Sequence, residues 1–191
     1  MSAIGRDPAG PGRRFTRFRP GHEPIGPGYS AVPGNGLCLS TFLILHPPGD
    51  RRQVLLGRPD VGGPWLERGG LDPGRLAGVA DRWLLPACQW LLFEEPRASA
   101  ERIARDLLDS ALPPVTGPAV FSETTPRASA ESSDPHWDVH FVYEGDWPTA
   151  APPTARLWRE LAFRDVARVR RAEIGRNQAD ILDLAGLSPA P

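Results

Sequence analysis

The stretch that most constrains this chain runs from Trp83 to Leu112, where an apolar segment, a loop and a helical pattern follow one another. The apolar segment is typical of a strand that ends at Leu85-Pro86, and the loop after it carries Glu94 and Glu95. A helix is predicted from about Ala98 to Ala111, because small and aliphatic residues recur there at the spacing of one helix face. The opposite face of that helix is charged and contains Glu101, Arg102, Arg105, Asp106 and Asp109.

The carboxylates of this loop and helix have two interpretations. A strand, a short loop and an acidic helix can hold a divalent metal ion against the oxygens of a phosphate group. The same charges can also form a solvated helix face, in which residues four apart pair and contribute about 0.2–0.5 kcal/mol per pair. The sequence leaves both interpretations open.

Composition limits the classes of protein that this chain can belong to. Its 191 residues predict one domain over residues 37–191, preceded by a flexible arm, residues 1–36, that is rich in Gly, Pro and Arg. The net charge of -1 gives no electrostatic argument for binding nucleic acid or an anionic membrane. No membrane span is predicted, because no window holds the roughly 18 consecutive apolar residues that one needs. Two cysteines, Cys38 and Cys88, make neither a disulfide framework nor a zinc site.

These features predict a reduced, cytoplasmic protein. Its oligomeric state is left open, with a homodimer among the alternatives.

The order of the predicted elements indicates the fold class. Leu37–His46 is predicted to be a buried strand, with Gln53–Gly57 returning beside it as a hairpin partner. Residues 58–80 form a long connection with several turn signals, which is typical of a lid or insertion. Further strands are predicted at residues 115–123, 136–144 and 157–164, and a last helix at residues 173–184. The order predicts an α/β fold in which a mixed sheet is covered by helices on both faces.

Three further groups of residues are candidate contacts for a small ligand. His136, Asp138 and His140 share one face of a predicted strand, and a polar pocket wall is favoured there over a metal site, since the two histidines start about 13 Å apart. Trp65 can stack on a nucleobase, although a core anchor is the simpler interpretation. Arg176 can pair with a phosphate group or can be a surface residue at the start of a helix.

Taken together, the stretch from Trp83 to Leu112 resembles a Nudix box. The pattern of that family is a Leu-Pro-Gly-Gly turn followed by Gly-x5-Glu-x7-Arg-Glu-U-x-Glu-Glu-x-Gly-U, where U is aliphatic. The flanking strands and the last helix are similar to those of the family, and the resemblance covers about residues 37–187. It implies a Nudix-type α/β/α sandwich with a mixed sheet, in which an acidic helix binds Mg²⁺ or Mn²⁺ and water attacks a phosphoanhydride.

The box can be aligned in two registers. Aligned from the turn, Glu94 takes the first Glu position, Arg102-Ile103 takes the Arg-Glu position, and the acidic pair becomes Asp106 and Leu107. Aligned from the helix, Arg105 takes the Arg position and the acidic pair becomes Asp109 and Ser110. The sequence favours the second register, because it keeps the aliphatic positions on the buried face. Each register has lost one member of the acidic pair.

The resemblance implies a divergent hydrolase of a nucleoside diphosphate-linked or other small phosphoanhydride ligand. Glu94, Glu95 and Asp109 are the implied metal ligands, Asp106 is a further catalytic carboxylate, and Arg105 would orient the carboxylates. Two alternatives remain: a Nudix-fold protein that binds or regulates without catalysis, and a different reaction around Asp138 and His140.

Overall fold

The computed structural model describes residues 37–69, 71, 73–91, 93–125 and 136–191. The predicted N-terminal arm, residues 1–36, lies outside the described residues. The strands are β1 Leu37–His46, β2 Gln53–Pro59, β3 Ala87–Gln89, β4 Val115–Thr125, β5 His136–Asp146 and β6 Trp158–Asp165. The helices are α1 Trp65–Arg68, α2 Pro73–Ala77, α3 Pro96–Leu108 and α4 Gln178–Leu184, with short 3-10 turns at Val166–Arg168 and Arg171–Glu173.

Within the described part of the chain, the strands form two sheets. The first has the order β3-β1-β5-β4, with β1 parallel to β5 and the other pairs antiparallel. The second pairs β2 with β6 in antiparallel fashion. The predicted hairpin of β1 and β2 is therefore wrong, because the two strands lie in different sheets. The turn after β1 sends the chain into the second sheet instead of back along the first.

β1 lies at the centre of the layered structure, and its alternating side chains show this directly. Leu43 and Leu45 pack in the cluster that includes the apolar face of α3. Phe42 and Ile44 belong to a second cluster that includes the buried face of α4. Because successive residues of a strand point to opposite faces, α3 and α4 cover opposite sides of the sheet layer. The predicted α/β fold with a mixed sheet between helices is confirmed.

Gly57 allows β2, β6 and α3 to pack closely. A Cβ atom at this position would lie 2.2 Å from the indole ring of Trp158, so only glycine leaves room for that ring. The indole nitrogen of Trp158 then donates a hydrogen bond of 2.7 Å to the carbonyl oxygen of Leu107, near the end of α3. The second sheet thereby holds the carboxyl end of α3 in place.

The long connection between β2 and β3 is packed against the core. It contains α1 and α2, and its buried residues Trp65, Leu76 and Val79 belong to the same cluster as α3. The predicted strand before Pro86 is replaced by isolated bridges, and β3 begins after that proline. The last helix begins at Gln178, five residues later than the start predicted from the sequence. None of the helices in the described residues is long and apolar enough to cross a bilayer.

Candidate functional site

α3 has a defined start and a defined end, and both bear on the site. Glu95 is its N-cap residue, and Pro96 occupies the first turn, where its missing N–H group would have had no partner. Asp109 ends the helix in the left-handed conformation, with φ of 48°. Its backbone N–H and that of Ser110 both donate to the carbonyl oxygen of Ala104, as in a left-handed helix cap.

A buried ion pair connects the loop before α3 to the middle of the helix. The Nε of Arg102 donates to one oxygen of Glu94 at 2.6 Å, and an Nη of Arg102 donates to the other oxygen at 2.8 Å. The side chains are only 4% and 9% exposed. The same guanidinium also donates to the carbonyl oxygen of Gln89 and to the Sγ of Cys88, at the end of β3. Arg102 therefore joins β3, the loop and α3.

The surroundings of Arg102 keep it charged. Burial lowers the pKa of the guanidinium, but the hydrogen bonds to Glu94 and the neighbouring Cys88 outweigh burial, so the pKa of Arg102 is raised above its usual range. Glu94 also accepts a hydrogen bond of 2.9 Å from the backbone N–H of Leu91, which closes the loop. The carboxylate of Glu94 is thus used to hold the loop.

The Glu94–Arg102 pair identifies the register of the Nudix box. Seven residues separate the two, as in the family pattern aligned from the turn. In that register the final Gly of the pattern falls on Asp109, and Asp109 has the left-handed conformation for which glycine is the usual residue. The register aligned from the helix, which the sequence favoured, explains neither observation.

No protein-family model and no curated protein matches the chain. The structure is similar to that of the E. coli dihydroneopterin triphosphate pyrophosphohydrolase, with 11% identity and a TM-score of 0.48 over 76% of this chain and 92% of that one. It is also similar to the Nudix domain of Shewanella oneidensis NrtR complexed with ADP ribose, with 12% identity and a TM-score of 0.46 over 81% and 80%.

A third similar structure is a C. elegans Ap4A hydrolase binary complex, with 9% identity and a TM-score of 0.44 over 78% of this chain and 86% of that one. Similarity at this level says nothing about the reaction, so the chemistry of the box-like stretch depends on its own side chains.

The stretch that resembles a Nudix box keeps two of the four carboxylates of the pattern in the register aligned from the turn, Glu94 and Asp106. The three glutamate positions that follow the first one are Ile103, Asp106 and Leu107. Ile103 is fully buried and Leu107 is 1% exposed, and both pack in the core beneath α3. Asp106 keeps a carboxylate, which accepts a hydrogen bond of 3.1 Å from the Nε of Arg105. One acidic side chain therefore remains at the three positions.

The predicted metal ligands Glu94, Glu95 and Asp109 do not come together. Glu95 and Asp109 lie at opposite ends of a 13-residue helix, which separates them by about 20 Å at 1.5 Å per residue. The two oxygens of Asp109 already meet an Nη of Arg68 at 3.3 Å and the backbone N–H of Arg156 at 3.2 Å.

Mg²⁺ takes about six oxygen ligands, commonly with one or two carboxylates among them. Among the described residues, no group of three or more His, Cys, Asp or Glu side chains could hold a metal ion. With Glu94 held by Arg102 and Asp109 by its own donors, the residues present do not fit Mg²⁺ or Mn²⁺.

Asp138 and His140 lie on the side of the sheet away from the Nudix box. They alternate with Phe141 and Tyr143 along β5, and Tyr143 packs in the cluster of α3. The His140 ring contacts Phe42, which belongs to the cluster of α4, with a centroid distance of 5.1 Å. The third residue of the predicted polar face is His136, whose side chain lies outside the described part. A ligand on the box would not meet Asp138 or His140.

Trp65 and Arg176 occupy different environments. Trp65 is 2% exposed, donates its indole N–H to the carbonyl oxygen of Leu157 at 2.9 Å, and meets Trp158 edge to face. It is placed as a core anchor, where it cannot stack on a base. Arg176 is exposed, just before α4, in the left-handed conformation with φ of 58°. Its predicted contact with a phosphate group stays a prediction.

Trp65→Phe is expected to lower the free energy of unfolding by about 1–3 kcal/mol, because the Leu157 carbonyl oxygen loses one of its two donors and keeps only the backbone N–H of Asp60, while the smaller ring leaves a gap in the core. Urea unfolding of the two proteins measures this difference. Ligand affinity should not change. An unchanged stability with weakened ligand binding would instead support the base-stacking role.

Proposed function

We propose that this chain is a Nudix-fold protein that binds a small phosphorylated ligand and does not hydrolyse it by metal-assisted chemistry. The observation that carries this proposal is the burial of Ile103 and Leu107 at two of the four glutamate positions of the box. A buried apolar side chain offers no oxygen to a cation, and no rotamer change at these positions can supply one. The phosphoanhydride class of the ligand is the expectation that comes with the Nudix resemblance.

A second candidate is a weak phosphoanhydride hydrolase. Asp106 favours it, since this residue retains a carboxylate at the first position of the acidic pair and lies beside Arg105. A single carboxylate, with water and phosphate oxygens as the other ligands, could hold a metal ion only when the ligand is bound. The two candidates differ in whether ligand binding and turnover depend on Mn²⁺.

Titration calorimetry tests the proposal with compounds that represent the ligand class: ADP ribose, a dinucleoside tetraphosphate and nucleoside diphosphates. We expect at least one compound to bind with the same affinity in EDTA and in Mn²⁺, and none of them to be cleaved into smaller nucleotides or phosphate when the mixtures are separated by chromatography. Turnover that requires Mn²⁺ and disappears in Asp106→Asn would make the hydrolase the correct candidate. Asp109→Asn is the matched variant, because it tests the other register of the box.

The cytoplasmic location and the homodimer stay predictions.

A further inference from the structure

Three arginines gather at the carboxyl end of α3, and we infer that they bind a phosphate group of the ligand in place of a metal ion. This arginine cluster consists of Arg68 from α1, Arg105 from α3 and Arg156 from the loop before β6. The inference rests on the proposed function, since it names the site and the charged group of that same ligand.

The three arginines meet around two aspartates on the last turns of the helix. An Nη of Arg68 lies 3.3 Å from Asp109 and 3.5 Å from the backbone oxygen of Asp106. The Nε of Arg156 lies 4.0 Å from Asp109, and the Nε of Arg105 lies 3.1 Å from Asp106. Residues three apart are neighbours on a helix surface, about 5–6 Å apart at Cβ. Each of the three guanidinium groups therefore has a nitrogen within 4.0 Å of Asp106 or Asp109.

Two members of the arginine cluster have guanidinium N–H groups that face solvent. The side chains of Arg105 and Arg156 are 64% and 86% exposed. Within the described residues, the side-chain contacts of both arginines use Nε, which leaves their Nη groups available to a ligand. A guanidinium presents its donors in a planar fork that matches two phosphate oxygens.

The charge of this end of the box also favours an anion. Counted over these five side chains alone, three positive charges face the two negative charges of Asp106 and Asp109, a formal excess of one positive charge before the partial negative charge of the helix end is included. The family pattern has glutamates at the positions of Ile103 and Leu107, where a phosphate group needs a cation to offset the repulsion. With isoleucine and leucine at these positions, that repulsion is absent, and arginine side chains can bind a phosphate group without a metal ion between them.

The same arginines also offset the partial negative charge at the carboxyl end of α3. A capping role of this kind would make them important for stability alone, and it would leave the affinity for anions unchanged. Anion affinity therefore separates the two roles.

The test uses inorganic pyrophosphate as the probe, titrated into the full chain in EDTA and low salt. The variant is Arg105→Gln with Arg156→Gln, which keeps Arg68 and its contact to Asp109. The matched control is Arg52→Gln with Arg168→Gln, two arginines that are 81% and 86% exposed and that each pair with one aspartate. We expect the wild-type chain and the control to bind pyrophosphate, and the variant to bind it at least about tenfold more weakly.

The inference is overturned if the wild-type chain does not bind pyrophosphate, or if the variant and the control lose affinity equally. Thermal unfolding confirms that both double variants are folded.

The proposed function has a separate outcome. If the variant still binds one of the nucleotide ligands in EDTA with wild-type affinity, the arginine cluster is wrong and metal-free binding stands. If the wild-type chain turns the ligand over only with Mn²⁺, the proposed function is wrong whatever the variant does.

Discussion

Arg102→Ala is expected to lower the free energy of unfolding by about 3–5 kcal/mol, because it leaves the carboxylate of Glu94 buried without its cation. The guanidinium also donates to the carbonyl oxygen of Gln89, so the end of β3 loses a contact at the same time. Urea unfolding monitored by tryptophan fluorescence measures the difference.

Arg97→Ala is the matched control for Arg102→Ala. Arg97 is on the same helix and pairs with Glu101 at 3.3 Å, but both side chains are more than half exposed. An exposed pair of this kind contributes about 0.2–1 kcal/mol. If the two substitutions have similar effects, Glu94 and Arg102 do not hold the loop. Adding Glu94→Gln to Arg102→Ala should recover part of the loss, because a neutral amide is less costly to bury than an unpaired carboxylate.

The fold could be predicted from the sequence wherever the signal is local. The apolar run of β1 predicts its bounds, Leu37 to His46, and the alternation in β5 predicts its two faces. Periodicity places α3 within a few residues of its ends. These patterns depend only on which neighbours along the chain must face the core.

The pairing of the strands could not be predicted in the same way. Gln53 follows β1 after a short turn, so a hairpin is the expectation that chain proximity gives. In the structure, Gln53 pairs with Asp165, more than one hundred residues away. The competing contact involves Trp158, which fits over Gly57 and bonds to α3. No local pattern in β2 carries that information.

Arg102 shows why a charge pattern on a helix is a weak guide. Helical spacing puts it on the predicted polar face with Arg105, and an arginine there is expected to be solvated. It is buried because Glu94, eight residues earlier, folds back to meet it. The seven-residue spacing between them is the signal in the sequence that could have found the pair.

The choice between the two box registers depended on the backbone conformation at position 109, which the sequence pattern does not show. Keeping the aliphatic positions on the buried face favoured the register aligned from the helix. The structure instead requires a residue at position 109 that accepts the left-handed conformation, and aspartate does so more readily than most residues other than glycine. Asp109 thus replaces a glycine and not a glutamate. Its carboxylate contacts Arg68 and the backbone of residue 156, and neither contact is visible from the sequence.

Replacing Ile103 by glutamate, the residue that the family pattern has at this position, is expected to destabilise the protein and not to create a metal site. Ile103 is fully buried in the apolar cluster beneath α3, so Ile103→Glu places a carboxylate among apolar side chains, at an expected cost above about 4 kcal/mol. Ile103→Leu, which conserves volume, should cost less than about 1.5 kcal/mol. Urea unfolding and Mn²⁺ calorimetry on both variants provide the test.

A stable Ile103→Glu protein that binds Mn²⁺ would mean that this face of α3 can open to solvent, and metal-free binding would then lose its main support. A destabilised protein with no Mn²⁺ binding is the expected result. It follows from the packing of α3: once Ile103 and Leu107 are core residues, the helix cannot regain its carboxylates without giving up the contacts that hold it on the sheet. If the proposed function holds, the stability of the fold would therefore oppose the introduction of metal ligands on this face of α3.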